Sequence, residues 1–271
     1  MNINKDTQLC ISLSARPGNF GTRFQNSLFE ALNLNYVYKA FKTDDIKGAI
    51  AGIRALNIRG SAISMPFKEA CIELIDELDA TARGIMSVNT IVNTGGHLKG
   101  YNTDYAAAVS LLKKNEISNE LTFAVQGSGG MAKAVVCALR DLDFKSGTVV
   151  ARNQKTGEAL ASQYGYTWKK ELGQDRPDFL INVTPIGMAG GKESQDLPFS
   201  KEAIRHAKAV FDVVAVPPET SLIQEARKLN KAVITGADVI VLQAVEQFVL
   251  YTGVRPDAKL IRLASDSAFS S

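Results

Sequence analysis

The run Val125-Gln126-Gly127-Ser128-Gly129-Gly130-Met131-Ala132 follows an apolar stretch at 121–126 and opens a segment with helical spacing. Glycine at 127 permits a tight turn, and glycine at 129 lets phosphate oxygens approach the main chain. A helix starting near Met131 then turns its free N–H groups and positive end toward an anion. The pattern suits the diphosphate of a dinucleotide. It also suits a methyltransferase nucleotide fold or an ordinary glycine-rich strand–helix turn. A nucleophilic serine at Ser128 is disfavoured, because Gln126 and Gly130 flank it where a nucleophile elbow needs glycine on both sides. The end of the next apolar strand, Ala151-Arg152-Asn153-Gln154-Lys155-Thr156, separates these readings. NAD and S-adenosylmethionine sites usually carry an acidic residue there to grip the ribose hydroxyls. Here Arg152 and Lys155 would instead attract a 2′-phosphate, with Asn153 or Thr156 as neutral donors. Two surface cations on a solvated loop are the bland alternative. Combined with the glycine turn, the residues favour NADP.

These residues need a frame, and the spacing supplies one. Apolar strands are predicted at 8–13, 37–41 and 58–64. Helices are predicted at 24–34, from an Asp44 or Asp45 cap to about Leu56, and over 68–78. A hairpin-like pair follows at 87–93 and 97–102, joined by Thr94-Gly95-Gly96. Next comes a helix at 104–114, then strands at 121–126, 146–152, 178–184, 209–216 and 231–236. Helices fall between them at Met131 to about Leu142 and at 155–164, and a last helix starts near Asp238. Strands alternating with helices predict mostly parallel sheets. The expected fold is α/β in two lobes: an N-terminal α/β substrate domain, 1–102 plus 237–271, and a doubly wound Rossmann nucleotide-binding domain, 103–236.

Bulk properties exclude several classes. The 271 residues are 45% hydrophobic and 22% charged, with a net charge of +3 and no basic run, so neither nucleic acid nor a membrane is an expected partner. Cys10, Cys71 and Cys137 are widely spaced in apolar stretches, which suits reduced thiols and a cytoplasmic location. His97 and His206 are distant in sequence and no Cys/His cluster exists, so no metal is expected. Charged residues at Lys5, Asp6 and Arg16 argue against a secretory signal. The apolar segment 233–251 contains Asp238, Gln243, Glu246 and Gln247 and reads as a buried helix, not a membrane span.

Several polar clusters lie outside this periodicity. They are Ser12-Leu13-Ser14, Met65-Pro66-Phe67-Lys68, Ser87-Val88-Asn89-Thr90, Gly100-Tyr101-Asn102-Thr103-Asp104, Asn182-Val183-Thr184-Pro185-Ile186-Gly187-Met188, and the stretch Asp212 to Thr220. In order and content they resemble the shikimate/quinate dehydrogenase family over nearly the whole chain. The resemblance implies oxidoreduction between a cyclic hydroxy acid such as shikimate and its 3-dehydro ketone, with NADP, in aromatic amino acid biosynthesis. It places the catalytic lysine on Lys68 and its partner carboxylate on Asp104. It places substrate binding on Ser14, Ser64, Asn89 and Gln243, and adds Thr184 and Gly236 to the cofactor residues Gly127, Ser128, Gly129, Gly130, Met131, Ala132, Arg152, Asn153 and Lys155. A small-molecule substrate and a monomer or homodimer are implied. By residue type alone, Lys68 also fits a solvent-facing helix start, Asp104 a helix N-cap, and Asn89 and Ser14 turn positions. Gln243 interrupts an apolar helix, where a buried amide needs partners.

The departures are specific. The family's first strand leads into two carboxylate-binding serines. Here the stretch is Leu13-Ser14-Ala15-Arg16-Pro17, so Ser14 is kept and the second serine is lost, in a loop that looks longer. Ala62-Ile63-Ser64 stands for Asn-Val-Thr, Ala215 for a tyrosine, and Tyr105 for the glycine after Asn-Thr-Asp. Weak activity on shikimate itself is therefore expected. Quinate or another cyclic polyol is the alternative substrate, and a non-catalytic NADP-binding regulator is the alternative class.

Overall fold

The computed structural model describes residues 3–270. The chain forms two compact units, one being Asp104–Ile240 and the other the residues on either side of it. Residues 1, 2 and 271, which the sequence reading places in the substrate domain, lie outside the described residues.

The flanking unit begins with β1 (Gln8–Ser14), α1 (Phe20–Ala31), β2 (Tyr36–Lys42), α2 (Ile46–Ala55) and β3 (Gly60–Ile63). It continues through β4 (Glu77–Leu78), α3 (Ala80–Arg83), β5 (Thr90–Thr94) and β6 (His97–Tyr101). Its sheet runs β2-β1-β3-β5-β6-β4. β1 is parallel to β2 and β3, whereas β5 is antiparallel to β3 and β6, so this sheet is mixed. Alternate residues of β1 serve different apolar clusters, as the period-two geometry of a strand requires: Cys10 joins Phe24 and Phe29, while Ile11 and Leu13 join Ile50, Ile53 and Ile63. Asp45 caps α2 by accepting from the Gly48 N–H at 2.8 Å.

The predicted helix over 68–78 is not formed. Turns run through residues 68–71, a single 3-10 turn covers Ile72–Leu74, and β4 follows. Apolar residues at 71, 72, 74, 75 and 78 mimic helical spacing, but tertiary pairing decides otherwise. Glu77 and Leu78 pair with Lys99 and Gly100 of β6, and the Asp76 carboxylate accepts from the Leu98 N–H at 2.7 Å and from Arg54. Helix α1 starts at Phe20, earlier than predicted, so the connection after β1 is only Ala15 to Asn19. Phe20 is fixed there by its ring contacts with Phe24 and Phe269.

The second unit contains most of α4 (Thr103–Lys114), then β7 (Phe123–Gln126), α5 (Gly130–Asp141), β8 (Gly147–Val150), α6 (Gln154–Tyr164) and β9 (Thr167–Lys169). It continues through β10 (Phe179–Asn182), α7 (Lys201–His206), β11 (Ala209–Asp212), α8 (Ser221–Lys228) and β12 (Ala232–Ile234). All pairings are parallel, in the order β12-β11-β10-β7-β8-β9. Counted from β7, this is the doubly wound order 3-2-1-4-5-6, whose winding reverses between β7 and β10. The edge strand β9 has no counterpart among the predicted elements, because Thr-Trp-Lys is short and partly exposed. It is held by Trp168, whose Nε1 donates to the Ala151 carbonyl at 3.2 Å.

Helix α9 (Gly236–Thr252) carries the chain out of this unit, and α10 (Ala258–Phe269) ends the described fold. α7, α8 and α10 also lack predicted counterparts. In the flanking unit Phe248 of α9 stacks on Phe29 with centroids 5.2 Å apart. All three cysteines are buried and unpaired, and burial pushes the Cys10 and Cys71 thiols up to about 12. Among the described residues no helix is long and apolar enough to cross a membrane, and no His/Cys/Asp/Glu group could hold a metal ion. Phe248 is fully buried, so Phe248→Ala is expected to destabilise the flanking unit by roughly 3–5 kcal/mol, read as a lower urea midpoint.

Candidate active site

The glycine turn leaves β7 at the point where the sheet order reverses. Gly127 has φ +126°, and a β-carbon on it would lie 2.9 Å from Val183 Cγ2 and 3.1 Å from Thr184 Cγ2, so only glycine fits. Gly129 forms the N-cap of α5, with no side chain capping it, and a β-carbon there would meet nothing within 4 Å. The first turn of α5 contains no acidic residue. An uncapped helix start facing open space is the geometry an anionic group needs. Ala132 is buried and packs the helix down, Ser128, Gly130 and Met131 are half-buried, and Gly129 is exposed.

The second strand ends beside this turn. Arg152, Asn153 and Lys155 are all exposed. Asn153 caps α6, its Oδ1 accepting from the Thr156 N–H at 3.2 Å. Thr156 Oγ1 lies 2.8 Å from Ser128 Oγ, tying the glycine turn to the Arg152 loop. Cradle, helix start and cations therefore fit a diphosphate with an additional phosphate on the ribose.

In the flanking unit the expected substrate residues occupy different environments. Ser14 ends β1 and is 5% exposed, and its Oγ has no hydrogen-bond partner among the described residues. Ser64 is exposed at the end of β3, where its N–H donates to the Leu13 carbonyl at 2.9 Å. Lys68 is half-buried, in a turn and not at a helix start. Its carbonyl accepts from the Val88 N–H at 2.8 Å. Asn89 is no simple turn residue. It is 2% exposed, its Oδ1 accepts from the Thr103 N–H and Thr90 Oγ1, both at 2.8 Å, and its Nδ2 donates to Thr103 Oγ1 at 3.0 Å. Gln243 lies half-buried on α9.

In the second unit Asp104 is buried within the first turn of α4, inside the helix and not at its cap. The neighbouring Tyr105 donates its hydroxyl to Asp141 Oδ2 at 2.6 Å, tying the start of α4 to the end of α5. Thr184 Oγ1 donates to Asn182 Oδ1 at 2.6 Å. A β-carbon on Gly236 would lie 2.2 Å from the Val214 carbonyl carbon, so Gly236 packs directly on that backbone.

Comparison with known proteins agrees with this frame. Residues 20–91 match the shikimate dehydrogenase substrate binding domain family. A shikimate dehydrogenase-like protein of Haemophilus influenzae is 55% identical over 263 residues, 97% of each chain. The chain belongs to the shikimate dehydrogenase family. A Dehalococcoides mccartyi shikimate dehydrogenase (NADP(+)) is 34% identical over 259 residues, 90% of each chain. The solved shikimate 5-dehydrogenase of Thermus thermophilus, in complex with NADP(H) and shikimate, superposes with a TM-score of 0.86 at 27% identity, over 97% of this chain and 99% of that one.

Two buried polar residues of this family member were assigned no role from the sequence. Gln247, 4% exposed, donates from Nε2 to Thr90 Oγ1 at 3.0 Å and to the Asn89 carbonyl at 3.3 Å. The available signal was a second glutamine on α9 one turn beyond Gln243, on the same face. Asp212, at the end of β11, is fully buried, and burial pushes its carboxyl up to about 6 from 3.8, against the opposing effect of hydrogen bonds from Thr220, Val214 and Asn182. Its folded value lies above its unfolded one, so the folded chain binds this proton more tightly. The contribution to stability is present at low pH and is lost as pH rises through about 6. Lowering the pH from about 7.5 to about 5 should therefore stabilise the wild type by roughly 1 kcal/mol relative to Asp212→Asn. Urea midpoints of the two proteins at both pH values check this, and parallel responses would contradict it.

Proposed function

We propose that this chain is an NADP-dependent dehydrogenase interconverting a ring hydroxyl of shikimate, or of a close cyclic hydroxy acid, with the corresponding ketone. The observation carrying the cofactor choice is the end of β8. There, exposed Arg152 and Lys155 stand where an acidic residue would otherwise grip the ribose, linked by the Thr156–Ser128 contact to the glycine turn. The relative named for NADP(+) and the solved structure holding NADP(H) support the same cofactor here.

In this reading Gly127 to Ala132 receive the diphosphate, while Arg152, Asn153 and Lys155 hold the 2′-phosphate. Thr184 and Gly236 line the remainder of the nucleotide site on the Asp104–Ile240 unit. The flanking unit supplies Ser14, Ser64, Asn89 and Gln243 to the substrate. NADP supplies the hydride acceptor for the carbinol carbon. Lys68 Nζ takes the hydroxyl proton, and Asp104 orients the amine and the substrate hydroxyl. Retention of both Lys68 and Asp104 favours turnover over a purely nucleotide-sensing role. The unpartnered Ser14 Oγ supports its place in the substrate site: a buried hydroxyl is costly until something bonds it, and a substrate carboxylate would do so.

The substrate-side departures favour weak activity on shikimate. One carboxylate serine is lost and Ala215 removes a tyrosine hydroxyl. Each lost bond to a charged group costs roughly 1.5–3 kcal/mol, so the two together weaken shikimate by a factor on the order of 10² or more. Exposed Arg16, within the short connection after β1, is positioned in sequence to pair with a differently placed carboxylate.

Two experiments test this. Arg152→Ala should weaken NADP by about ten-fold or more and leave NAD nearly unchanged, as read by titrating both cofactors. Equal losses would overturn the 2′-phosphate assignment. Lys68→Ala should retain cofactor affinity while turnover drops by about 10²–10⁴ on whichever of shikimate, quinate or related acids the wild type accepts best. Near-normal turnover would remove Lys68 from proton transfer, and a micromolar KM with fast turnover of wild type on shikimate would refute the specificity argument.

A further inference from the structure

The C-terminal ends of β7, β10 and β11 form a row across the sheet, Gln126, Asn182 and Asp212 being in register. Asn182 and Asp212 are both fully buried. The Asn182 amide is saturated. Its Oδ1 accepts from Thr184 N at 3.1 Å and from Thr184 Oγ1, and its Nδ2 donates to the Ile186 carbonyl at 3.1 Å and to Asp212 Oδ1 at 2.9 Å. Asp212 Oδ1 also accepts from Val214 N at 3.1 Å, and its Oδ2 from Thr220 Oγ1 at 2.7 Å. One carboxylate therefore anchors both the loop after β10, through Asn182, and the loop after β11, through Val214 and Thr220. The loops are also tied directly, Ala189 N donating to the Val216 carbonyl at 2.9 Å, and Gly236 packs on the Val214–Ala215 backbone.

A buried carboxylate facing only neutral donors is a poor choice for stability alone, since removing its charge from water is costly. Its chemistry explains its presence. Only an ionised carboxylate offers acceptors at both oxygens and no donor. Asparagine would turn an N–H₂ against either the Asn182 and Val214 donors or Thr220, whose hydroxyl would then have to give up its role as donor to this side chain.

We propose that Asp212 is a positioning residue, which holds the 183–188 and 213–220 loops as one connected surface against the nicotinamide half of the cofactor. This rests on the NADP reading above. The loops so fixed carry Thr184 and the backbone on which Gly236 packs, whereas the adenosine-phosphate half is assigned to the separate Arg152 loop. Asp212 acts through these loops and touches neither cofactor nor substrate. Its loss should therefore affect one half of the cofactor and spare the other.

The test compares two ligands: NADP and 2′,5′-ADP, which contains the adenosine-phosphate half alone. For Asp212→Asn, 2′,5′-ADP affinity should stay within about two-fold of wild type, NADP affinity should fall about ten-fold, and kcat should drop by about ten- to a hundred-fold. Thr220→Val, which removes the donor to Oδ2, should shift the same ratio in the same direction, and Thr220→Ser should restore it; this pair carries the test should Asp212→Asn fail to fold. Equal losses of both ligands in the variants, or an unchanged NADP to 2′,5′-ADP ratio with normal kcat, would overturn the role of Asp212 while leaving the NADP reading intact. Failure of the wild type to bind 2′,5′-ADP would overturn the NADP reading and this proposal with it.

Discussion

The backbone leaves β7 at Gly127 with φ +126°, and no β-carbon fits between it and the side chains of Val183 and Thr184. The rest of the nucleotide unit follows from that turn. It points the uncapped start of α5 into open space, at the position where the parallel sheet reverses its winding. It also brings Ser128 within hydrogen-bond distance of Thr156, so the glycine turn and the cationic loop after β8 are one feature. A larger residue at 127 would push the chain away from β10 and separate these parts.

Both units place buried polar networks at the ends of their strands. In the flanking unit, Asn89 joins the start of β5 to Thr103, and Gln247 of α9 supports it from the other side. In the nucleotide unit, Asn182 and Asp212 do the same for the loops after β10 and β11. Neutral amides suffice in the first case because Asn89 both accepts, at Oδ1, and donates, from Nδ2 to Thr103 Oγ1. The second case gathers three donors on one residue, which only a carboxylate satisfies, and burial raises the Asp212 carboxyl to about 6 although those hydrogen bonds oppose the shift. Such networks fix geometry at some cost to stability, as is expected where loops must be held for a ligand.

The departures from the family pattern also have structural consequences. Tyr105 stands where glycine is usual and anchors the start of α4 through Asp141, so the helix bearing Asp104 is tied to the nucleotide helix α5. Ser14 keeps a buried hydroxyl with no hydrogen-bond partner among the described residues, while the loop beyond it carries Arg16 in place of a serine. The glycine turn at 127–130 and the cationic loop after β8 keep their pattern, whereas the departures fall at 13–17, 62–64, Tyr105 and Ala215.

The sequence by itself determined the family, the two-lobed α/β class, the glycine turn and the cationic loop after β8. Each is encoded locally: a period of apolar residues, a glycine where φ is positive, a charge at a fixed offset from a strand. Tertiary structure alone decided the fate of 68–78, whose apolar spacing is helical but whose backbone pairs with β6 and whose Asp76 is claimed by Arg54 and Leu98. It also decided that the first sheet is mixed, that exposed Thr-Trp-Lys forms an edge strand, and that Asn89 is a network centre and not a turn residue. Gln247 and Asp212 were legible as residues but not as anchors, since their partners lie 157 and 30 positions away for Gln247–Thr90 and Asp212–Asn182. A buried polar group is defined by what surrounds it, and those surroundings come from distant segments that only the folded chain brings together.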